Sequence, residues 1–100
     1  MLMHKAKFLC GIVGSGNIVE PHIKALCSLR HIKLNVIKGS NADSIIDRFG
    51  NLALKKATSF EELCEKSDII LIANENRMHA RLAREALRLK KSVLIEKPLG

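Results

Sequence analysis

Two stretches of this chain hold residues whose types and spacing could do chemistry. Gly14-Ser15-Gly16-Asn17-Ile18-Val19 directly follows the apolar run Phe8 to Val13. A strand that feeds a glycine-rich turn and then a helix makes a cradle for phosphate. Glycine lets the backbone approach an anion, and the free N–H groups of the helix's first turn point at its charge. The second stretch, Glu96-Lys97-Pro98, is an acid–base–proline tripeptide closing another apolar run. Together they predict a nicotinamide-dinucleotide domain that ends where a substrate domain would begin. Gly14, Ser15, Gly16, Asn17 and Ile18 are its candidate phosphate cradle, and the competing reading of that segment is an ordinary tight turn.

Two features bear on the cofactor. Val19 stands where the usual G-x-G-x-x-G fingerprint has its third glycine, a position that lets helix and strand pack closely. Valine there is expected to push the helix outward slightly and to lower phosphate affinity. An acidic residue at the end of the second strand normally binds the ribose 2′-hydroxyl. Here Ile37-Lys38-Gly39-Ser40-Asn41 has no carboxylate before Asp43. Lys38, Ser40 and Asn41 suit a 2′-phosphate, which favours NADP over NAD, while Lys38 read as a solvated turn residue leaves NAD open. Asn74-Glu75-Asn76-Arg77-Met78-His79 follows a fully apolar strand, at the end where open α/β sheets place ligands. It also reads as a polar loop in which Asn76 caps a helix and His79 sits in its first turn.

The elements that must position these residues alternate between strand and helix patterns. Strands are expected over Lys7 to Val13, Ile32 to Ile37, Asp68 to Ala73 and Ser92 to Ile95, with a brief edge strand within Leu54 to Ala57. In the second strand, Ile32, Leu34 and Val36 should share one face. Helices are expected over about Ile18 to Leu29, Ala42 to Phe49, Ser59 to Lys66 and Arg77 to Lys90. Ile18, Ile23, Leu26 and Leu29 should point inward from the first, and Leu82, Ala86 and Leu89 from the last. Gly50-Asn51 should end the second helix in a left-handed cap, and Ser59 with Glu62 forms a capping box. The fold predicted is α/β: a Rossmann-like three-layer α/β/α domain over residues 1–100, its parallel sheet in the order 3-2-1-4-5.

Composition narrows the partners. A 100-residue chain, 47% hydrophobic with three phenylalanines as its only aromatics, builds one aliphatic core. No apolar run approaches the ~20 residues that span a bilayer. Cys10, Cys27 and Cys64 lack any C-x-x-C spacing, which predicts free thiols in a reducing, cytoplasmic setting. The four histidines show no metal-ligand spacing. The net charge of +7 admits nucleic acid, yet the arginines lie mostly on the solvent side of one predicted helix and no aromatic is placed to stack on bases.

In motif order the chain resembles the cofactor domain of the Gfo/Idh/MocA oxidoreductases, the family of glucose–fructose oxidoreductase and inositol dehydrogenase. The likeness runs through Gly11-Ile12-Val13-Gly14-Ser15-Gly16, His22-Ile23-Lys24-Ala25-Leu26, the Ala73 to His79 stretch and Glu96-Lys97-Pro98. Against the family's A-T-P-N-H-x-H it keeps Ala73, Asn76 and His79 but departs at Asn74, Glu75 and Arg77. The resemblance implies NAD or NADP as cofactor and a sugar, cyclitol or similar polyol as substrate. It adds Ala73, Asn74, Asn76, His79, Glu96, Lys97 and Pro98 to the cofactor site, with Lys97 also touching substrate as the catalytic candidate. It further implies a second, substrate-binding domain, without which no turnover is expected. The alternative is a non-catalytic dinucleotide-binding module, able to form homo-oligomers through the sheet edge beyond the last strand.

Overall fold

The structure is a computed structural model that describes residues 8–14, 19–73 and 76–95, with the side chains of residues 76–79 outside that description. Its strands are β1 (Phe8–Val13), β2 (Ile32–Lys38), β3 (Lys55–Lys56), β4 (Ile69–Ile72) and β5 (Ser92–Ile95). Its helices are α1 (Val19–Cys27), α2 (Ala42–Arg48), α3 (Phe60–Glu65) and α4 (Asn76–Arg88). Every strand pair is parallel and the order is β3-β2-β1-β4-β5, as the alternating pattern predicts. No helix among the described residues is long and apolar enough to cross a membrane.

The two faces of the sheet carry separate aliphatic cores. On one, Cys10, Ile12, Leu34, Ile37 and Leu71 pack under Val19, Ile23 and Leu26 of α1 and Ala42 and Ile45 of α2. On the other, Val13, Val36, Ile70 and Ile72 meet Leu63 and Cys64 of α3 and Ala83 and Ala86 of α4. β4 is apolar on both faces because it is covered on both, the usual condition of a central parallel strand. Val19 is fully buried in the first core, so the side chain at the fingerprint's third position is absorbed into packing.

Strict alternation fails in β2. Cys10 pairs with Leu34 but Gly11 pairs with Val36, so Asn35 is an extra residue in a bulge. A bulge sends two successive side chains to the same side. Val36 therefore joins the α3 core instead of sharing a face with Ile32 and Leu34, and Asn35 reaches across to donate from Nδ2 to the carbonyl of Lys66 at 2.8 Å. The end of α3 settles where β1 has no side chain. A Cβ built on Gly11 would lie 2.2 Å from Ser67 Oγ and 3.0 Å from Leu63 Cδ2. Ser67 is buried and spends its hydroxyl on the Leu63 carbonyl at 2.6 Å.

Several boundaries differ from expectation. α1 stops at Cys27, and Leu29 lies 48% exposed in the following turn. Ser28 ends the helix by donating its hydroxyl back to Ala25 O at 2.6 Å. After α2, Gly50–Leu52 forms a 3-10 turn and the left-handed residue is Ala53, at φ 55, not Gly50. Asn76 is the first residue of α4, inside the helix. The inward stripe of α4 is centred on Ala83 and Ala86 with Leu82 half-buried, while Leu89 is exposed in the turn beyond. There Lys90, at φ 64, donates to Leu87 O and Lys91 to Ala86 O, a Schellman close with lysine where glycine is usual.

The capping box forms with a one-residue variation. Ser59 Oγ accepts from Glu62 N at 3.0 Å, and Glu62 Oε1 accepts from Thr58 N at 2.7 Å, one residue earlier than the standard partner. Thr58 Oγ1 and Lys66 Nζ also donate to this carboxylate.

Two outcomes are expected. Gly11→Ala drives a methyl group into Ser67 and Leu63 and should lower stability by about 1–3 kcal/mol, read as a lower urea midpoint, with Ser67→Ala in the same chain recovering part of the loss. The donors around Glu62, led by Thr58 N–H, hold its carboxyl at about 2, below the ordinary 4.5. A pKa lowered by folding contributes stability that is complete above the unfolded value and fades as pH falls through the folded one. The stability gap between wild type and Glu62→Gln should accordingly narrow as pH drops from 4.5 towards 2 in an acid titration of unfolding.

Candidate functional site

Among the described candidates, Gly14, Lys38 and Ala73 come together because the carboxyl ends of the strands are level. Val13 pairs with Lys38 on one side and Ile72 on the other, and Ile72 pairs with Ile95. Beyond the ladder, Gly14 N donates to Lys38 O at 2.8 Å and Ala73 N donates to Val13 O at 2.8 Å. Gly14, Lys38 and Ala73 thus form one rim. The strand order reverses between β1 and β4, which is where open α/β sheets bind their ligands.

Gly14 leaves β1 at φ 118, a conformation that L side chains rarely adopt. The chain re-enters the described structure at Val19, already in α1. Ser15, Gly16, Asn17 and Ile18 lie outside the described residues. Lys38 ends β2 half-buried beside Gly14, and Gly39, Ser40 and Asn41 turn the chain into α2, closed by Ala42 N donating to Gly39 O at 3.2 Å. Ser40 is exposed on that turn. Ala73, buried, continues the rim from β4. Asn76 and His79 fall in the first turn of α4, with their side chains outside the description. Asn74, Glu96, Lys97 and Pro98 also lie outside the described residues.

One participant is invisible in the sequence. Asp43 is the first carboxylate after β2, the nearest substitute for the missing ribose acid, and its Oδ2 accepts from Lys56 Nζ of β3 at 3.2 Å. The two residues sit in different elements, so no local spacing signals the pair. The pair sits at the surface, with the Asp43 side chain 81% exposed, and the polar residues of the β2 turn itself are Lys38, Ser40 and Asn41. The thiols take no part at the rim. Burial pushes Cys10 up to about 11 and Cys64 up as well, so neither offers a thiolate at neutral pH.

Residues 8–100 match the family described as "oxidoreductase family, NAD-binding Rossmann fold". The chain belongs to the Gfo/Idh/MocA oxidoreductases. Among relatives, glucose-6-phosphate 3-dehydrogenase of Bacillus subtilis (strain 168) is 34% identical over 93 residues, which are 90% of this chain and 26% of that protein. Biliverdin reductase of Synechocystis sp. PCC 6803, solved with biliverdin and NADP+, superposes with a TM-score of 0.81 at 28% identity, covering 93% of this chain and 30% of that one. Apo scyllo-inositol dehydrogenase of Lactobacillus casei shares the fold at a TM-score of 0.79 and 24% identity, over 98% of this chain and 30% of its own. The chain therefore spans between a quarter and a third of the length of these relatives. In this Gfo/Idh/MocA domain the residues present fit a dinucleotide: a glycine-only bend after β1, a helix start just beyond it, and a level rim at the switch point.

Gly14→Ala should cost about 1–3 kcal/mol, since a side chain at this φ is strained whatever space surrounds it. A fall in thermal midpoint together with weaker NAD(P)H binding is the expected pair of readings.

Proposed function

We propose that this chain is one cofactor domain that binds NADP(H) in preference to NAD(H), and that it serves hydride transfer on a sugar, cyclitol or similar polyol when a substrate-binding domain completes the site. The observation that carries the cofactor preference is the turn after β2. It offers the Lys38 cation and the polar Ser40 and Asn41, and it has no carboxylate before Asp43. A 2′-phosphate gains attraction and hydrogen bonds in that setting, and a bare ribose finds no carboxylate to accept from its hydroxyl. Solved structures that share the fold hold either cofactor, NADP+ in biliverdin reductase and NAD in GenD2, so the preference rests on the β2 turn alone.

The bound nicotinamide would supply or take the hydride. What this chain contributes is orientation. Backbone amides after Gly14, with Ser15, Gly16, Asn17 and Ile18, would hold the diphosphate. Ala73, Asn74, Asn76 and His79 would line the rim from the β4 side. Glu96, Lys97 and Pro98 follow Ile95 directly in sequence, where the family resemblance sets them beside the nicotinamide and its ribose. There the Lys97 ammonium would orient the substrate hydroxyl and offset negative charge on its oxygen as the C–H bond transfers its hydride. The buried thiols fit a reducing compartment such as the cytoplasm.

Separate calorimetric titrations with NADPH and NADH test the proposal. Saturable binding with NADPH the tighter ligand is expected, and Lys38→Ala should weaken NADPH by roughly tenfold while leaving NADH nearly unchanged. Tighter binding of NADH would reverse the preference, and no saturation by either at millimolar concentration would remove the cofactor reading.

A further inference from the structure

The carboxyl end of β2 has a second cation beside it, one that its own turn does not supply. Lys56 is the last residue of β3 and stands opposite Ile37 in the parallel ladder. The next hydrogen bond, from Ala57 N to Ile37 O at 2.9 Å, fixes that neighbour at the very end of β2. Adjacent strands lie about 4.8 Å apart, so the Lys56 side chain starts one strand away from the turn Lys38 to Asn41. Its direction is given by its partner. Nζ lies 3.2 Å from Oδ2 of Asp43, the second residue of α2. The ammonium group is therefore on the α2 side of the sheet, where Ile37 also packs. Lys38 alternates to the other face, the one on which its ladder partner Val13 is buried. The two cations thus bracket the end of β2 from opposite sides. Lys55 pairs with Val36, which packs against α3, and so points away from α2.

The Asp43 pair is easily exchanged. Its two side chains are 50% and 81% exposed, and an ion pair between such groups gains little over water. A phosphate monoester is the stronger partner, with up to twice the charge of a carboxylate and three acceptor oxygens. We propose, resting on the reading that the β2 turn holds a 2′-phosphate, that Lys56 is a second specificity-determining cation of that subsite and that Asp43 competes for it. Binding of NADP(H) exchanges one ion pair for another. Lys56 Nζ leaves the Asp43 carboxylate and donates to a phosphate oxygen, and Asp43, already mostly solvated, is left to water. NAD(H) has a hydroxyl in place of that phosphate and leaves the pair as it is. Two exposed lysines on a two-residue edge strand also serve to block strand addition. Lys55 fits that role alone, whereas Lys56 is aimed at the end of β2.

Calorimetric titration of the 100-residue chain with NADPH and with NADH tests this in variants at three exposed positions. Lys56→Ala should weaken NADPH by about fivefold and leave NADH unchanged. Lys55→Ala removes the same charge one residue away and should change neither. Asp43→Asn should tighten NADPH by about threefold, and the gain should shrink when Lys56→Ala is in the same chain. The proposal is overturned if Lys56→Ala leaves NADPH unchanged, weakens NADH equally, or does no more than Lys55→Ala. A gain from Asp43→Asn as large without Lys56 as with it would overturn the exchange. Those failures leave the cofactor reading standing as long as wild type prefers NADPH and Lys38→Ala weakens it. Tighter NADH binding by wild type, or no saturation by either ligand, removes that reading and this proposal with it.

Discussion

The placement of β1 between β2 and β4 is the constraint on which the rest of the structure depends. In parallel strands, each crossover helix must return to the same starting end, and the right-handed sense sends successive helices to one face or the other according to the direction of travel along the sheet. Travel from β1 towards β3 puts α1 and α2 over one core. Travel from β4 to β5 puts α4 with α3 over the other. The carboxyl ends of β1 and β4 are left adjacent with their helices diverging, and the hydrogen bonds from Gly14 N to Lys38 O and from Ala73 N to Val13 O lock that rim level. The opening between diverging helices is a consequence of topology, before any side chain chooses a ligand.

Packing then imposes its own demands on the strands. The cores hold no fully buried aromatic: Phe8 is exposed, and Phe49 and Phe60 only border them. Aliphatic side chains of similar size must interlock without a large ring to set the spacing, so the helices approach the sheet closely. At Gly11 the approach is close enough that a methyl group would collide with Ser67. The bulge at Asn35 belongs to the same contact. Its extra residue swings the amide towards the end of α3, where it satisfies the Lys66 carbonyl that the helix leaves open. A glycine on one strand and a bulge on its neighbour together make a seat for one helix end.

Much of this was legible from the sequence, for reasons that can be named. Periodicity identified the four longer strands and the four α-helices, because each of these buries a face and its apolar residues must recur accordingly. The order of strands followed from alternation and handedness. What escaped were features decided by contacts between distant residues. Val36 changes face because of a bulge at Asn35, whose amide reaches the end of α3, 31 residues on. α2 is capped by Phe49 without a left-handed residue, and the left-handed position comes at Ala53, which closes the 3-10 turn Gly50–Leu52 beyond the glycine that local rules favour. Leu29 was assigned inward by helical spacing, but α1 had already ended. In the site, Gly14, Lys38 and Ala73 were legible because strand ends and glycine turns have local signatures. The capture of Asp43 by Lys56 was not, because it joins α2 to β3 across thirteen residues.

Electrostatics shows the same division between quantity and placement. A net charge of +7 is large for 100 residues, yet much of it is dispersed or compensated: Arg48 pairs with Glu20, Lys66 with Glu62 and Arg88 with Glu85. Exposed pairs of this kind contribute little to stability and are screened by salt. A single cation can still matter where its own turn carries no carboxylate, as in Lys38 to Asn41. Recognition of a dinucleotide can be built this way from one rim, using backbone amides and a few side chains that are close in sequence to strand ends. Recognition of a polyol needs groups converging on the far side of the reacting carbon, which a single open sheet end does not surround. Cofactor binding is therefore the half of the chemistry that a domain of this architecture can carry alone.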